Sequence, residues 1–341
     1  MITNIISERK LDIISDFIAR YGKIAITCHV SPDGDAMGST LGLCHFLKGL
    51  GKQATVVISD MPPRNLIFLP GMRDVVIYTQ TAEKAEAVLK DAELIFALDF
   101  NALNRIDKLS APFQEATAKK VLIDHHLGPE NFCDVIVSHP KISSTSELIF
   151  RLIYQMGALD KMSLSSAEAI YTGMMTDTGN FTYNSNDPEI YYIVAELVKM
   201  GVNKDRIYTL VCNTQTANKL LLNSYAICHK MELFPEYGAA MVSLTRAEME
   251  RYKFQKGDCE GLVNVPLSIK GIRFSAFIRE DRNYIKISLR SQGKFPVNTI
   301  AENHFNGGGH MNAAGGEFYG TIEEAIARFK EILPIYCVKE P

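Results

Sequence analysis

At 341 residues the chain is longer than one ordinary core organises, so two domains are expected. Hydrophobic residues at 47% and charged residues at 22% exclude a disordered chain. The net charge of -3 excludes a chain-wide basic footprint for gripping long nucleic acid by its backbone.

The opening stretch, "MITNIISERKLDIISDFIARYGK", spaces apolar residues at helical intervals with acids and bases between them. It lacks a basic segment followed by an unbroken apolar run, so no signal peptide is expected. No apolar run approaches the roughly 20 residues needed to cross a bilayer, and no membrane partner is expected. The seven cysteines are odd in number, scattered, and form no Cys-x-x-Cys pair, which fits a reducing cytoplasm.

Short β-branched runs then alternate with helical patterns: "KIAIT", a helix through "GSTLGLCHFLKGLG", "ATVVIS", "ELIFALD", "KVLID" and "DVIVS". That alternation predicts an α/β domain with a parallel sheet, assigned to residues 1–202. Two helical patterns follow. "SSTSELIFRLIYQMG" opens with a capping box from Ser144 to Glu147, and "SLSSAEAIYTGMMTDTG" ends at Thr178 and Gly179. Residues 189–201 read as another helix, and residues 203–234 as a helical connector without a motif. Beyond it, "YGAAMVSL", "GIRFSAFIRE" and "NYIKISLRS" read as strands, with a turn at Asp281 to Asn283, and "TIEEAIARFKEILPIY" as an amphipathic helix. Residues 235–341 are therefore expected to form a smaller mixed-sheet α/β domain, with a cleft between the two domains. No internal repeat or low-complexity tract is present.

Ligands of parallel sheets sit beyond the carboxyl ends of the strands. Three apolar runs here end in metal-ligating types: "IAITCH" at His29, "LIFALD" at Asp99, and "VLIDHH" at Asp124, His125 and His126. After His29, Asp33 and Asp35 flank Gly34 in "VSPDGDAMGS", and Asp177 follows in "MMTDTGNF". An Asp or His at one strand end is more often a cap or a surface group; the conjunction of four segments in one α/β context is what points to a site. Carboxylates and imidazoles crowded in one cleft repel or stay desolvated unless cations neutralise them. The oxygen and nitrogen donors, without thiolate, suit Mn²⁺, Mg²⁺ or Zn²⁺, and the imidazoles favour Mn²⁺ over Mg²⁺. Two such ions roughly 3.5–4 Å apart would clamp a phosphoryl group and activate a water, which is phosphoester hydrolysis.

"CHVSPDGDAMGS", "ALDF", "IDHH" and "TDTGNF", followed by "SLRS" and "NGGGHMNAAG", resemble the motifs of the DHH phosphoesterase superfamily with a DHHA1 second domain, in family order over nearly the whole chain. Layout and length are most similar to the NrnA-like branch of bifunctional oligoribonucleases and 3'-phosphoadenosine 5'-phosphate (pAp) phosphatases. The resemblance implies that His29 and Asp33 hold one metal and that Asp35, His125 and Asp177 hold the other, with Asp99 bridging both. It implies that His126 faces the substrate phosphate, as a catalytic group beside Asp99, and that Asp124 orients an imidazole or the loop. It assigns substrate binding to Arg290, Gly307, Gly308, Gly309 and His310. A planar guanidinium forks onto phosphate, and glycine N–H groups can approach its oxygens.

The expected substrates are short oligoribonucleotides and pAp, with linear dinucleotides such as pApA or pGpG as the nearest alternative, then pyrophosphate or polyphosphate. A non-catalytic nucleotide sensor is the competitor from another class, disfavoured because all six ligands are intact. A homodimer is left open. Phe181 and Phe305 are read as packing ahead of base stacking, His45 as a satisfied helix histidine, His139 as a turn residue, His229 as part of the connector and Cys28 as packing, and Arg105 is left between a phosphate contact and a helix cap.

Overall fold

In the computed structural model, which describes residues 2–337, the chain divides into two compact units after Thr214. The first unit contains, in order, α1 Glu8–Arg20, β1 Lys23–Thr27, α2 Gly34–Gly49, β2 Gln53–Ile58, β3 Val76–Ile77, α3 Ala82–Asp91, β4 Leu94–Leu98, α4 Ser110–Glu115, β5 Lys119–Asp124, β6 Val135–Ser138, α5 Thr145–Gln155, α6 Leu164–Asp177, α7 Pro188–Lys199 and α8 Lys204–Cys212. All six strands are parallel, in the order β3-β2-β1-β4-β5-β6.

The strands are apolar on both faces because helices cover both. Ile24 and Ile26 of β1, Phe96 of β4 and Ile123 of β5 point into one core beneath α1, α2, α5, α6 and α7. The intervening Ala25, Ile95, Ala97 and Leu122 point into the other, with Leu89 of α3 and Phe113 of α4. The chain leaves β1 toward one edge and β4 toward the other, so the carboxyl ends of the adjacent strands β1, β4 and β5 frame the topological switch point.

Glycines fix how closely the helices above that point approach. Gly34, Gly38 and Gly42 repeat every four residues along one stripe of α2, and this stripe lies on α6. A methyl on Gly38 would stand 2.6 Å from the Ala169 carbonyl oxygen and 2.7 Å from Gly173 N and Cα. Backbone therefore lies almost directly on backbone, which only glycine permits here.

The second unit contains α9 Ala217–Lys230, β7 Met231–Phe234, β8 Ala239–Leu244, α10 Arg246–Arg251, β9 Phe274–Glu280, β10 Ile285–Ser291, α11 Val297–His304, β11 Gly308–His310, β12 Ala313–Phe318 and α12 Ile322–Tyr336. Its sheet runs β11-β12-β10-β9-β8-β7, antiparallel except for the parallel β8–β9 pair. One face packs Phe274, Ile278, Ile287 and Leu289 against α11 and against Phe329 and Ile332 of α12. On the other face Val242, Leu244 and Phe277 lie under Leu222 of α9 and Leu262. Along β10 the apolar residues alternate with Lys286, Ser288 and Arg290, which stay on the less covered face.

The structure departs from the sequence reading in several elements. The last part of the stretch read as helical is strand β7, which pairs with β8. The Ser144 hydroxyl accepts from Glu147 N at 3.0 Å, but the Glu147 carboxylate does not return to Ser144. It accepts instead from Ser143 N and Oγ and from Arg151 Nε, so the capping box is half made. The glycine-rich run, not read as a strand, forms a short edge strand with Gly308, Gly309 and His310 opposite Gly315, Ala314 and Ala313.

Candidate metal centre

His29 lies two residues past the end of β1, Asp99 one residue past β4, and His125 and His126 directly after β5. Because these strands are neighbours, the four side chains meet at one sheet edge. Asp33 caps α2, its Oδ1 accepting from Asp35 N and Ala36 N at 3.0 Å each. Asp35 is in the first turn of α2 and Asp177 is the last residue of α6, so the glycine contact between the helices carries both acids to the same place.

Three overlapping groups of donor atoms result: His29, Asp33 and Asp99; Asp35, His125 and Asp177; and Asp99, His125 and His126, with all donor atoms of each group within 4.8 Å of one another. His29 Nε2 is 3.4 Å from Asp99 Oδ2 and 3.9 Å from Asp33 Oδ2. His125 Nε2 is 3.6 Å from both Asp99 Oδ1 and Asp177 Oδ2, and 3.9 Å from Asp35 Oδ2. All six residues expected as ligands come together, with Asp99 shared between groups.

Each imidazole is oriented by its other nitrogen. His29 Nδ1 donates to the Val30 carbonyl at 2.8 Å and His125 Nδ1 to the Ile142 carbonyl at 3.2 Å, which turns each Nε2 toward the carboxylates. His126 differs: its Nδ1 is tied to Asp124 Oδ1 at 2.7 Å, leaving Nε2 for another partner. Asp124 is fully buried, and among the described residues its Oδ2 has no hydrogen-bond partner.

Two residues of the site were not anticipated. Asp35 is wholly buried, and its two oxygens accept from Thr145 N at 2.6 Å and Ser146 N at 2.8 Å, the first N–H groups of α5. The positive end of that helix dipole offsets part of the charge. Thr145 Oγ1 also donates to Asp99 Oδ1 at 2.9 Å. Asp99 itself has a left-handed backbone, φ 63°, which costs roughly 1–3 kcal/mol for a non-glycine residue and is held by the surrounding structure.

The acids are under electrostatic stress without a counter-charge. Burial and then the charge of Asp99 and Asp177 push the Asp35 carboxyl well above its usual range. Burial takes Asp177 up to about 6, with His125 pulling the other way. Burial would also raise Asp99, but the hydrogen bond and charge of His29 hold it down at about 2. His29 is the reciprocal case: burial would lower it, and Asp99 takes it up to about 9. Oxygen and imidazole donors with oriented lone pairs, and buried acids lacking enough positive charge, fit divalent cations.

In the second unit Arg290, Gly307, Gly308, Gly315 and Gly316 line an open concavity of about 510 Å³, while Gly309 and His310 are not among its lining residues. Arg290 Nη1 donates to its own Leu289 carbonyl at 2.9 Å. The three glycines are not equivalent. Gly307 N donates to the Ala301 carbonyl, and added methyls on Gly307 or Gly309 would strike the backbone of β12. Gly308 has open space, its nearest atom being Glu302 Oε1 at 3.8 Å.

Phe305 is fully buried and Phe181 packs on Tyr171 and Tyr191. His45 Nε2 meets the Pro70 carbonyl at 2.9 Å, and Cys28 is wholly buried with its thiol pushed up by burial. His139 begins a turn to Ile142, and His229 lies against Tyr225. Arg105 is exposed, and its carbonyl accepts from Val30 N at 2.7 Å, beside the His29 loop. No described helix is long and apolar enough to cross a membrane.

Comparison with known proteins places this geometry. Residues 23–174 match the model of the DHH family, N-terminal domain, and residues 240–334 that of the DHHA1 domain. The bifunctional oligoribonuclease and PAP phosphatase NrnA of Thermus thermophilus is 31% identical over 315 residues, covering 91% of this chain and 89% of the relative. The protein of the same name from Bacillus subtilis is 29% identical over 308 residues, covering 90% and 92%. The crystal structure of an exopolyphosphatase-related protein from Bacteroides fragilis is 50% identical, covers 98% of both chains and superposes with a TM-score of 0.96. His29, Asp33, Asp35, Asp99, His125 and His126 thus lie within the DHH match and Asp177 three residues beyond it, and the chain belongs to the DHH family of phosphoesterases.

Proposed function

We propose that the protein hydrolyses short oligoribonucleotides to nucleoside 5'-monophosphates and removes the 3'-phosphate of pAp in the cytoplasm. The observation that carries the reading is the placement of Asp99, with one oxygen 3.4 Å from His29 Nε2 and the other 3.6 Å from His125 Nε2, between the His29 and Asp33 donors and the Asp35, His125 and Asp177 donors, which suits two adjacent cations rather than one. The names of the NrnA relatives support the choice of substrates.

His29 and Asp33 would hold one cation, Asp35, His125 and Asp177 the other, and Asp99 both; Mn²⁺ is preferred for the mixed donors. When bound, the cations supply Lewis acidity at the phosphoryl group and lower the pKa of the attacking water. His126 is reserved for substrate. Asp124 fixes its Nδ1 and, against the effect of burial, raises its pKa, so Nε2 is kept as a proton donor to a phosphoryl or leaving oxygen. Asp124 is thus a positioning residue. Arg290 and the N–H of Gly308 would take a further phosphate, with Gly307, Gly309 and His310 shaping the strand that presents them.

The test is turnover of pAp, a dinucleotide, a pentanucleotide, pyrophosphate and polyphosphate side by side with Mn²⁺, products resolved by chromatography. Monophosphates from the oligonucleotides and AMP from pAp are expected. Faster phosphate release from pyrophosphate or polyphosphate than from any nucleotide would overturn the reading. Turnover confined to the dinucleotide would replace it with a dinucleotide phosphodiesterase.

A further inference from the structure

The consecutive polar residues Ser143 to Glu147 are all buried, at the entry to α5 and in its first turn, and so is Arg151 one turn further along that helix. Their bonds divide by direction. Toward the metal centre, the Ile142 carbonyl accepts from His125 Nδ1, Thr145 N and Ser146 N donate to the two oxygens of Asp35, and Thr145 Oγ1 donates to Asp99. Residues 142–146 thus reach Asp35, His125 and Asp99, and the first two belong to one donor group.

Away from the metal centre, the same stretch is fastened to a single carboxylate. Glu147 Oε2 accepts from Ser143 N at 3.1 Å and from Ser143 Oγ at 2.6 Å. Its Oε1 faces the Arg151 guanidinium, with Nε and Nη2 both at 2.8 Å. Arg151 Nη1 continues to Glu189 on α7 at 2.8 Å and to the Thr3 carbonyl at 3.2 Å. Glu147 and Arg151 are each only 1% exposed.

A buried ion pair adds little stability, because desolvation takes back most of what the attraction gives and an apolar pair of like volume would serve as well. It does favour one arrangement, since each charge must meet all its partners or stay unpaired. The charge of Arg151 has a second effect. The first N–H groups of α5 point at Asp35, and a bare acid at Glu147 would compete for the same positive helix end. Paired with Arg151, Glu147 leaves that helix end to Asp35.

Ser143 is the fastened residue, and its neighbours on both sides set metal donors. A shift of its peptide would carry the Ile142 carbonyl away from His125 and turn the Thr145 and Ser146 N–H groups off Asp35. His29 and Asp33 are set differently: the Val30 carbonyl orients the first, and the N–H groups of Asp35 and Ala36 hold the second. The fastening therefore acts on one half of the donor cluster.

We propose that Glu147, held by Arg151, is a positioning residue for the cation of Asp35, His125 and Asp177, and that the cation of His29 and Asp33 does not depend on it. The inference rests on the proposed reading of the donors as a two-cation site and is independent of the substrate.

The test is Mn²⁺ titration calorimetry of Glu147→Gln, with Ser143→Ala, which keeps the ion pair, serving if that variant fails to fold. One of the two Mn²⁺ equivalents should bind about tenfold more weakly, and the other should stay within about twofold of wild type. Glu189→Gln takes a carboxylate from the same guanidinium without touching residues 142–146; it should lower Tm and leave both equivalents within about twofold. In metal-free protein, ¹⁵N chemical shifts should place the proton of the neutral His125 ring on Nδ1 in wild type and move it toward Nε2 in the variant. Equal weakening of both equivalents, wild-type affinity for both, or the same selective weakening in Glu189→Gln overturns the positioning role. If wild type binds no Mn²⁺, the two-cation reading fails, and the His125 proton still decides the role of Glu147: an unmoved proton overturns it.

Discussion

The contact between α2 and α6 makes a sharp prediction, because it links a residue that touches no substrate to the spacing of the metal donors. In Gly38→Ala the new methyl would stand 2.6 Å from the Ala169 carbonyl oxygen, against 3.4 Å where ordinary contact begins. The opposing atoms are main chain, so no rotamer change relieves the shortfall of about 0.8 Å and the helices must part by a similar distance. Overpacking of this kind costs about 1–3 kcal/mol, or a fall in Tm of about 2–12 °C for a unit of this size. Asp35 lies one turn before Gly38 and Asp177 one turn after Gly173, so the same displacement opens their donor group. A misplacement near 1 Å at reacting groups costs about a hundredfold in turnover. The assay is Tm of metal-free protein, Mn²⁺ affinity by calorimetry, and kcat on pAp. Gly22→Ala, where the nearest atom is Glu93 Oε2 at 3.7 Å, is the control and should stay near wild type. Gly38→Ala with wild-type Mn²⁺ affinity and turnover would refute the link between helix contact and site.

Asp99→Asn should lose nearly all turnover on every substrate and most of the rise in Tm on adding Mn²⁺, because the shared acid serves two donor groups; retention of either by wild-type measure would remove Asp99 from its bridging place. Metal-free protein should lose stability as pH rises from 5 to 8. Asp177, raised from 3.8 to about 6, stabilises fully below 3.8 and loses that contribution as pH passes 6, and Asp35 acts in the same direction. His29, raised from 6.5 to about 9, loses its contribution above neutrality, whereas Asp99, lowered to about 2, contributes constantly across the window. Differential scanning calorimetry at the two pH values in chelator checks this, and a Tm rising with pH would contradict it. Gly308→Ala should melt as wild type does while raising KM for nucleotides, and Gly307→Ala should melt at least several degrees lower, because only the latter puts a methyl against β12 backbone. Equal melting of the two would show that the strands give way.

The metal donors were legible because a parallel sheet delivers strand ends to one edge, so His29, Asp99 and His125 could be grouped despite lying about a hundred residues apart. Thr145 and Ser146 were not, since they hold Asp35 through backbone N–H groups that any residue type carries. Strand β7 follows α9 with no turn residue between Lys230 and Met231, and only its pairing with β8 ends the helix. Glu147 was diverted from its cap by Ser143 and by Arg151 one turn on in the same helix, whose buried guanidinium it shares with Glu189 on α7.

The same bonds that escaped the sequence explain how the cluster keeps its shape. Asp35 is anchored through both oxygens to α5, Asp33 through Oδ1 to its own helix, and His29 and His125 through Nδ1 to carbonyls. None of these anchors uses a cation, and each imidazole and Asp33 retains an inward-facing donor atom. Rigid backbone therefore fixes the direction of the donors, while the raised Asp35 and Asp177 measure the cost of placing them so close. That cost is lowest with bound cations, so the fold stores part of its stability in metal binding rather than acquiring its shape from it. Chelation should accordingly lower Tm while leaving the far-ultraviolet circular dichroism unchanged below the transition; loss of helical signal on chelation at 20 °C would mean that the cations build the site rather than occupy it.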